Sequence, residues 1–149
     1  MNDLEKLIAA ESIKQTKARY FHSLDNKDWR AFATVFTRDA QMDMREETRD
    51  EKNLIDGNEN IARYVGQAVE GITTVHHGHM PIIEFTSNDS ANVVWAMEDK
   101  LWKPEGSTSQ LPFSFMHGYG HYRETYRRIE DQWLIHTLKL TRLRVDLTA

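Results

Sequence analysis

The sequence predicts an α+β fold: a curved antiparallel sheet covered on one face by three N-terminal helices. Apolar residues recur at helical spacing as far as Val69 and at strand spacing beyond Gly71. The strand-like stretches come as two long hairpins, which pairs neighbouring strands antiparallel. Helices gathered ahead of such strands cover one sheet face, because each layer needs the other to bury its apolar side. At 149 residues with 40% hydrophobic content, the chain suits one domain spanning 1–149. A chain of that size buries roughly 68–70% of its unfolded surface, enough for one core without staples.

Asn2 and Asp3 offer oxygens that cap a first helix. Leu4, Leu7, Ile8, Ile13, Tyr20 and Leu24, with Phe21 alongside, put one apolar stripe on about 20 residues, kinked near Glu11–Ser12. Asp25-Asn26-Lys27 ends that pattern. Asp28 caps a second helix with Trp29, Phe32, Val35 and Phe36 on one face. Ala40–Met44 alternates and reads as a short strand, with Met42 and Met44 opposite Gln41 and Asp43. Arg45–Lys52 mixes both charge signs and reads as a solvated loop. Asn58 caps a third helix, whose Ile61, Tyr64, Val65, Ala68 and Val69 follow helical spacing and whose end Gly71 closes. Ile72–Phe85 and Ala91–Trp102 form the first hairpin; Phe113–Ile129 and Trp133–Val145 form the second, turning at Glu130-Asp131.

Composition removes several classes. The chain has no cysteine, which excludes disulfides, thiolate metal sites and a cysteine nucleophile. The N-terminus lacks the basic-then-apolar pattern of a signal peptide, and no apolar run approaches the ~20 residues of a membrane span. A net charge of −4 argues against a nucleic-acid partner. The expectation is a soluble, cytoplasmic domain. Gly118-Tyr119-Gly120 lacks the third glycine and the following helix of a phosphate loop, and no G-x-S-x-G occurs, so nucleotide binding and serine hydrolysis have little support; no cofactor is expected.

Seven histidines dominate the remaining candidates. Strand alternation puts His77 and His79 on one face and His76 on the other, and gives His117 and His121 a shared face. Zinc bound by His77, His79 and one of His117 or His121 is geometrically open, but HHxH on a strand is no established ligand spacing, so no metal is expected. His76 reads either as a satisfied core histidine or as a proton-transfer group in an apolar pocket. Asp25 ends the first helix, where the dipole disfavours an acid; that is a hint of function, although a surface aspartate explains it too. Tyr20, five residues earlier, reaches the same end of a pocket or simply fills the core. Asp43 is an inward base or a solvent-facing acid. Asp99 shares a face with Trp95 and Met97, as a pocket acid or a strand-end charge. Arg142 and Arg144 share a face of the last strand, where one anchors an anionic substrate or both pair with acids on the sheet.

Tyr20-Phe21-His22-Ser23-Leu24-Asp25, Trp29, Thr74-Val75-His76-His77-Gly78-His79, Trp95-Ala96-Met97-Glu98-Asp99 and Gly118-Tyr119-Gly120-His121-Tyr122 through Trp133 carry a further signal. In these the chain resembles the SnoaL-like branch of the nuclear transport factor 2-like superfamily, over nearly its whole length. The resemblance implies a cone-shaped α+β barrel: a strongly curved sheet and three helices around a deep pocket. The site pattern is similar to those of scytalone dehydratase, bile acid 7α-dehydratase and hexachlorocyclohexane dehydrochlorinase, which use an Asp–His dyad. By that resemblance His76 is the base, Asp25 orients it, and Tyr20 hydrogen-bonds the substrate oxygen. Asp99 and Arg142 correspond to a further acid and a late arginine beside the substrate, with Trp95 and Met97 next to them.

The function this implies is a cofactor-independent lyase, of dehydratase type, acting on a hydrophobic cyclic or aromatic small molecule. Two alternatives stand beside it. One is an isomerase or polyketide-cyclase-type enzyme with Asp43 or Asp99 as base. The other is a non-catalytic binding or accessory subunit, like the β-subunits of ring-hydroxylating oxygenases. The resemblance also implies a homo-oligomer, dimer or trimer, packed through the convex sheet face.

Overall fold

The computed structural model describes residues 1–149. Helix α1, Asp3–Asp25, opens with a reciprocal cap: the Asn2 side chain accepts from the Glu5 backbone N–H at 2.9 Å, and the Glu5 carboxylate accepts from the Asn2 N–H at 2.7 Å. The helix is continuous through Glu11–Ser12. Its apolar stripe is used only in part. Ile13, Tyr20 and Leu24 are buried on the sheet, whereas Leu4, Leu7 and Ile8 remain 67%, 70% and 62% exposed.

Helix α2, Trp29–Ala33, is capped by Asp28, whose Oδ1 accepts from the Ala31 N–H. It ends before Val35 and Phe36, which the helical spacing had placed on its face. Phe36 instead opens strand β1, Phe36–Asp43, beside Ile135. β-branched and aromatic residues fit a sheet surface, and the Val35 carbonyl accepts from the Ile135 N–H at 2.9 Å. The charged segment expected as a loop holds a single helical turn, α3 (Arg45–Thr48), followed by a short strand β2 (Leu54–Asp56) paired with β1. Helix α4, Asn58–Ala68, buries Ile61, Ala62 and Val65. Asn58 does not cap it. That residue is already helical, and its amide donates to the Ala33 carbonyl, while Gly57 supplies the turn with φ 91°.

Strands β3 (Thr73–Phe85), β4 (Ser90–Trp102), β5 (Phe115–Ile129) and β6 (Gln132–Thr148) complete one sheet of order β2-β1-β6-β5-β4-β3. Every neighbouring pair is antiparallel except β1 with β6, which is parallel. The sheet is open, with β2 and β3 at its edges, so the expected barrel is not closed. No helix is long and apolar enough to cross a membrane.

The helices cover one face of the sheet, the inner face, where Val93, Trp95, Met97, Tyr122, Tyr126 and Leu138 are buried. The side chain of Lys17 enters this core as well. It pairs with Glu124, and its ammonium lies 3.8 Å and 3.7 Å from the ring centres of Tyr20 and Tyr122. Burial lowers the Lys17 pKa to about 8, against the opposing pull of Glu124.

Candidate functional site

Strand alternation brings Thr74 and His76 of β3 to the inner face, and places His76 beside Asp99, its cross-strand partner on β4. The last residue of α1, Asp25, meets them there. Its Oδ1 lies 2.7 Å from His76 Nδ1 and accepts from the Thr74 hydroxyl at 2.9 Å; its Oδ2 accepts from the His76 backbone N–H at 2.8 Å. An acid at a helix C-terminus is unfavourable alone, and here donors from another element compensate it. Burial works against the Asp25 carboxylate, but the His76 ring, the His76 backbone N–H and Thr74 together hold its pKa below the ordinary aspartate value.

Asp25 accepting at Nδ1 selects the tautomer with a proton there, so Nε2 of neutral His76 carries a lone pair. Asp99 Oδ2 stands 4.0 Å from that Nε2. The His76 side chain is 9% exposed and Asp99 5%, so little water screens either group. Arg142 of β6 holds Asp99 in turn, with Nη1 donating to Oδ1 at 2.6 Å and Nη2 to Oδ2 at 2.9 Å. The other side of its guanidinium is taken by Glu47 of α3, which accepts from Nε at 3.0 and 3.1 Å. Burial opposes the Arg142 charge, yet both carboxylates raise its pKa above the usual value.

His76, Asp99, Arg142, Tyr20 and Glu47 line a pocket of about 300 Å³ between the helices and the sheet, whose remaining walls are mostly Leu, Met, Val and aromatic side chains. That volume is at the lower end of ordinary ligand pockets. A wider open groove of about 870 Å³ runs between α2 and α4 past Trp29 and Arg63, but it contains none of these titratable pairs. The smaller pocket is the one that gathers His76, Asp99 and Arg142 against mostly apolar walls, where charged groups interact in low dielectric.

Tyr20 lines the pocket, and burial with the nearby Glu124 raises its pKa, keeping the phenol protonated. Trp95 and Met97, expected beside the substrate, lie instead in the core and are not among the pocket's lining side chains. Met97 still touches Arg142, its Sδ 3.8 Å from Nη1. Asp43 faces away, gripped by Arg45 through both carboxylate oxygens at 3.0 and 2.9 Å. Arg144 does not share the face of Arg142. A register shift pairs Arg142 with Gly120 and Arg144 with Tyr119, which turns Arg144 to the outer face beside Asp146.

His77, His79 and His117 surround one carboxylate, Glu98, on the outer face at 3.6, 3.9 and 3.0 Å. No three His, Asp or Glu side chains converge on a common point in the way a metal ion requires.

Three contributors were not anticipated. Thr74 stood in plain view, two residues before His76 and therefore on its face. Gly118 reads in the sequence as part of an unsuitable phosphate loop and of a family-like phrase, with no role of its own, yet a Cβ there would overlap Arg142 Nη1 and Asp99 Oδ1. An isolated glycine within a strand is the signal for such a close approach. Glu47 had no local signal at all, because nothing in a mixed-charge run marks which acid turns inward.

Residues 5–139 match the SnoaL-like domain family. The chain belongs to that family. Solved structures share the fold. A candidate scytalone dehydratase from Novosphingobium aromaticivorans DSM 12444 is 20% identical with a TM-score of 0.79, covering 98% of this chain and 91% of its own. A type 2 hexachlorocyclohexane dehydrochlorinase is 18% identical with a TM-score of 0.80, covering 99% and 94%. A candidate aromatic ring hydroxylase from Novosphingobium aromaticivorans is 18% identical with a TM-score of 0.77, covering 95% and 94%. Likeness at this level establishes the nuclear transport factor 2-like fold; the activity has to be argued from the site.

Proposed function

We propose that this SnoaL-like protein is a cofactor-independent lyase of dehydratase type, acting on a hydrophobic ring compound. The observation that carries the reading is the 2.7 Å contact between Asp25 and His76 Nδ1, which presents Nε2 as a base at the wall of an apolar pocket. Lyases with dehydratase and dehydrochlorinase names among the structural neighbours support it.

In the reaction proposed, His76 Nε2 removes a proton from a carbon next to a carbonyl, and the C–H electron pair moves onto the carbonyl as an enolate. The enolate then re-forms the carbonyl as the bond to the leaving group at the neighbouring carbon breaks. Where that group is hydroxide, the imidazolium returns its proton to it and water departs. Asp25 holds the ring and, with Asp99, stabilises the imidazolium between the two transfers. In this reading the Tyr20 phenol, protonated and lining the pocket, donates to the enolate oxygen.

A positioned base of this kind contributes roughly 10²–10⁴-fold in rate. His76→Ala should therefore lose that much turnover on any substrate the protein eliminates, while His77→Ala, one residue away on the outer face, should keep it. Near-wild-type turnover by the His76 variant would overturn the assignment. A cyclase or isomerase acting through Asp99 would instead survive His76→Ala and fail with Asp99→Asn.

A further inference from the structure

We propose that Glu47 determines specificity: by occupying the Arg142 guanidinium, it makes the pocket accept ring compounds whose polar end is uncharged and refuse those that carry a carboxylate. This rests on the pocket being a small-molecule site, as proposed above, and is independent of the reaction carried out there.

Arg142 is the one arginine or lysine among the pocket-lining side chains. It is the natural anchor for an anionic ligand, because its planar fork matches a carboxylate. Its donors are already committed. Nη1 and Nη2 serve Asp99, and Nε serves Glu47, with Nη2 also 3.0 Å from Glu47 Oε1. The polar end of the pocket therefore holds two carboxylates against one guanidinium, with the Asp25 carboxylate directly behind His76. A ligand carboxylate entering there must either displace one of them or lie unpaired beside like charges in a poorly hydrated space. A neutral carbonyl or hydroxyl meets no such barrier.

The two protein carboxylates are not equivalent. Asp99 is 5% exposed and built into the sheet next to His76, whereas Glu47 is 22% exposed on a one-turn helix that buries none of its residues. Beyond Arg142, α3 is tied to the sheet by an exposed pair between Glu46 and Lys139 at 3.0 Å. Glu47 is thus the partner whose removal releases Arg142 without dismantling the site.

The test is calorimetric binding of a matched pair of probes, α-naphthol and α-naphthoate, to the wild-type protein, Glu47→Gln and Glu47→Ala. The wild type should prefer naphthol by about tenfold or more, the weight of one charge-assisted contact. Both variants should gain naphthoate affinity by a similar factor, so that the preference for naphthol over naphthoate shrinks or disappears. Naphthoate binding to the wild type as tightly as naphthol overturns the proposal, as do unchanged affinities in both variants or binding of neither probe by any of the three proteins. Turnover is not read, so failure here together with a His76-dependent elimination would remove only the role of Glu47. Loss of the lyase reading would leave the binding result standing.

Discussion

On the inner face of the β3–β4 hairpin one imidazole meets two carboxylates; on its outer face one carboxylate meets three imidazoles. His76 lies between Asp25 at 2.7 Å and Asp99 at 4.0 Å, with a side chain 9% exposed. Glu98 lies among His117, His77 and His79, and the last two are 55% exposed. The residue types are the same and the cross-strand register is continuous, yet the physics differs. Inside, few water molecules compete, and a charge-assisted hydrogen bond fixes a tautomer and an orientation. Outside, solvent and salt screen each pair, and such contacts contribute little. What separates a candidate reaction centre from a surface cluster is therefore burial and opposing charge, not the histidines themselves.

Asp25→Asn is the strongest way to break the contrast. An amide leaves the packing intact but no longer dictates the Nδ1–H tautomer, and turnover should fall by about a hundredfold. The same variant carries a stability signature. The folded Asp25 pKa lies below its unfolded value, so its stabilisation is complete above about pH 4 and is lost as pH falls through the folded pKa. Denaturant unfolding against pH should show a shallower acid limb for Asp25→Asn than for the wild type. An unchanged limb would mean that Asp25 is not held by His76 in solution.

Gly118→Ala tests the support behind Asp99. Its Cβ would displace Arg142 or Asp99, and overpacking of this kind costs roughly 1–3 kcal/mol. A lowered melting temperature and a lowered turnover should appear together. A variant as stable as the wild type would show that the Asp99–Arg142 pair has room to move.

Glu98→Gln should do least. The hydrogen bond from His117 and the neighbouring Lys100 and His77 hold the Glu98 pKa below the ordinary value, with slight burial opposing them. Its contribution is present above about pH 4.5 and fades as pH falls through the folded pKa. The loss on substitution should stay under about 1 kcal/mol and shrink further as salt is raised, with turnover unaffected. A salt-insensitive loss would place Glu98 in a drier setting than its exposure indicates.

Much of this arrangement is legible in the order of residues alone. The first helix, the two hairpins and the opposition of His76 to His77 and His79 follow from local periodicity, which is a property of neighbouring residues. Two of the misreadings originate in contacts between distant segments. Val35 and Phe36 continue a helical pattern, but Ile135 draws them into the sheet. Arg144 keeps step with Arg142 by alternation until the β5–β6 register shift turns it outward. Arg45–Lys52 reads as solvated loop because mixed charge carries no direction; it is solvated, but its first four residues form a helical turn. The stripe of Leu4, Leu7 and Ile8 reads as core, although α1 leaves these residues exposed.

The amino-acid sequence by itself determined the α+β class, the caps of the first two helices and the face of β3 on which each histidine lies, since all of these depend on residues a few positions apart. Only the tertiary structure decided that Asp25 meets His76 across 51 positions of chain and that Glu47 occupies Arg142 across 95. Neither pairing has a local signature. Each comes about because packing the helices on the sheet leaves the His76 ring and the Arg142 guanidinium mostly shielded from water, where a partner carboxylate compensates them.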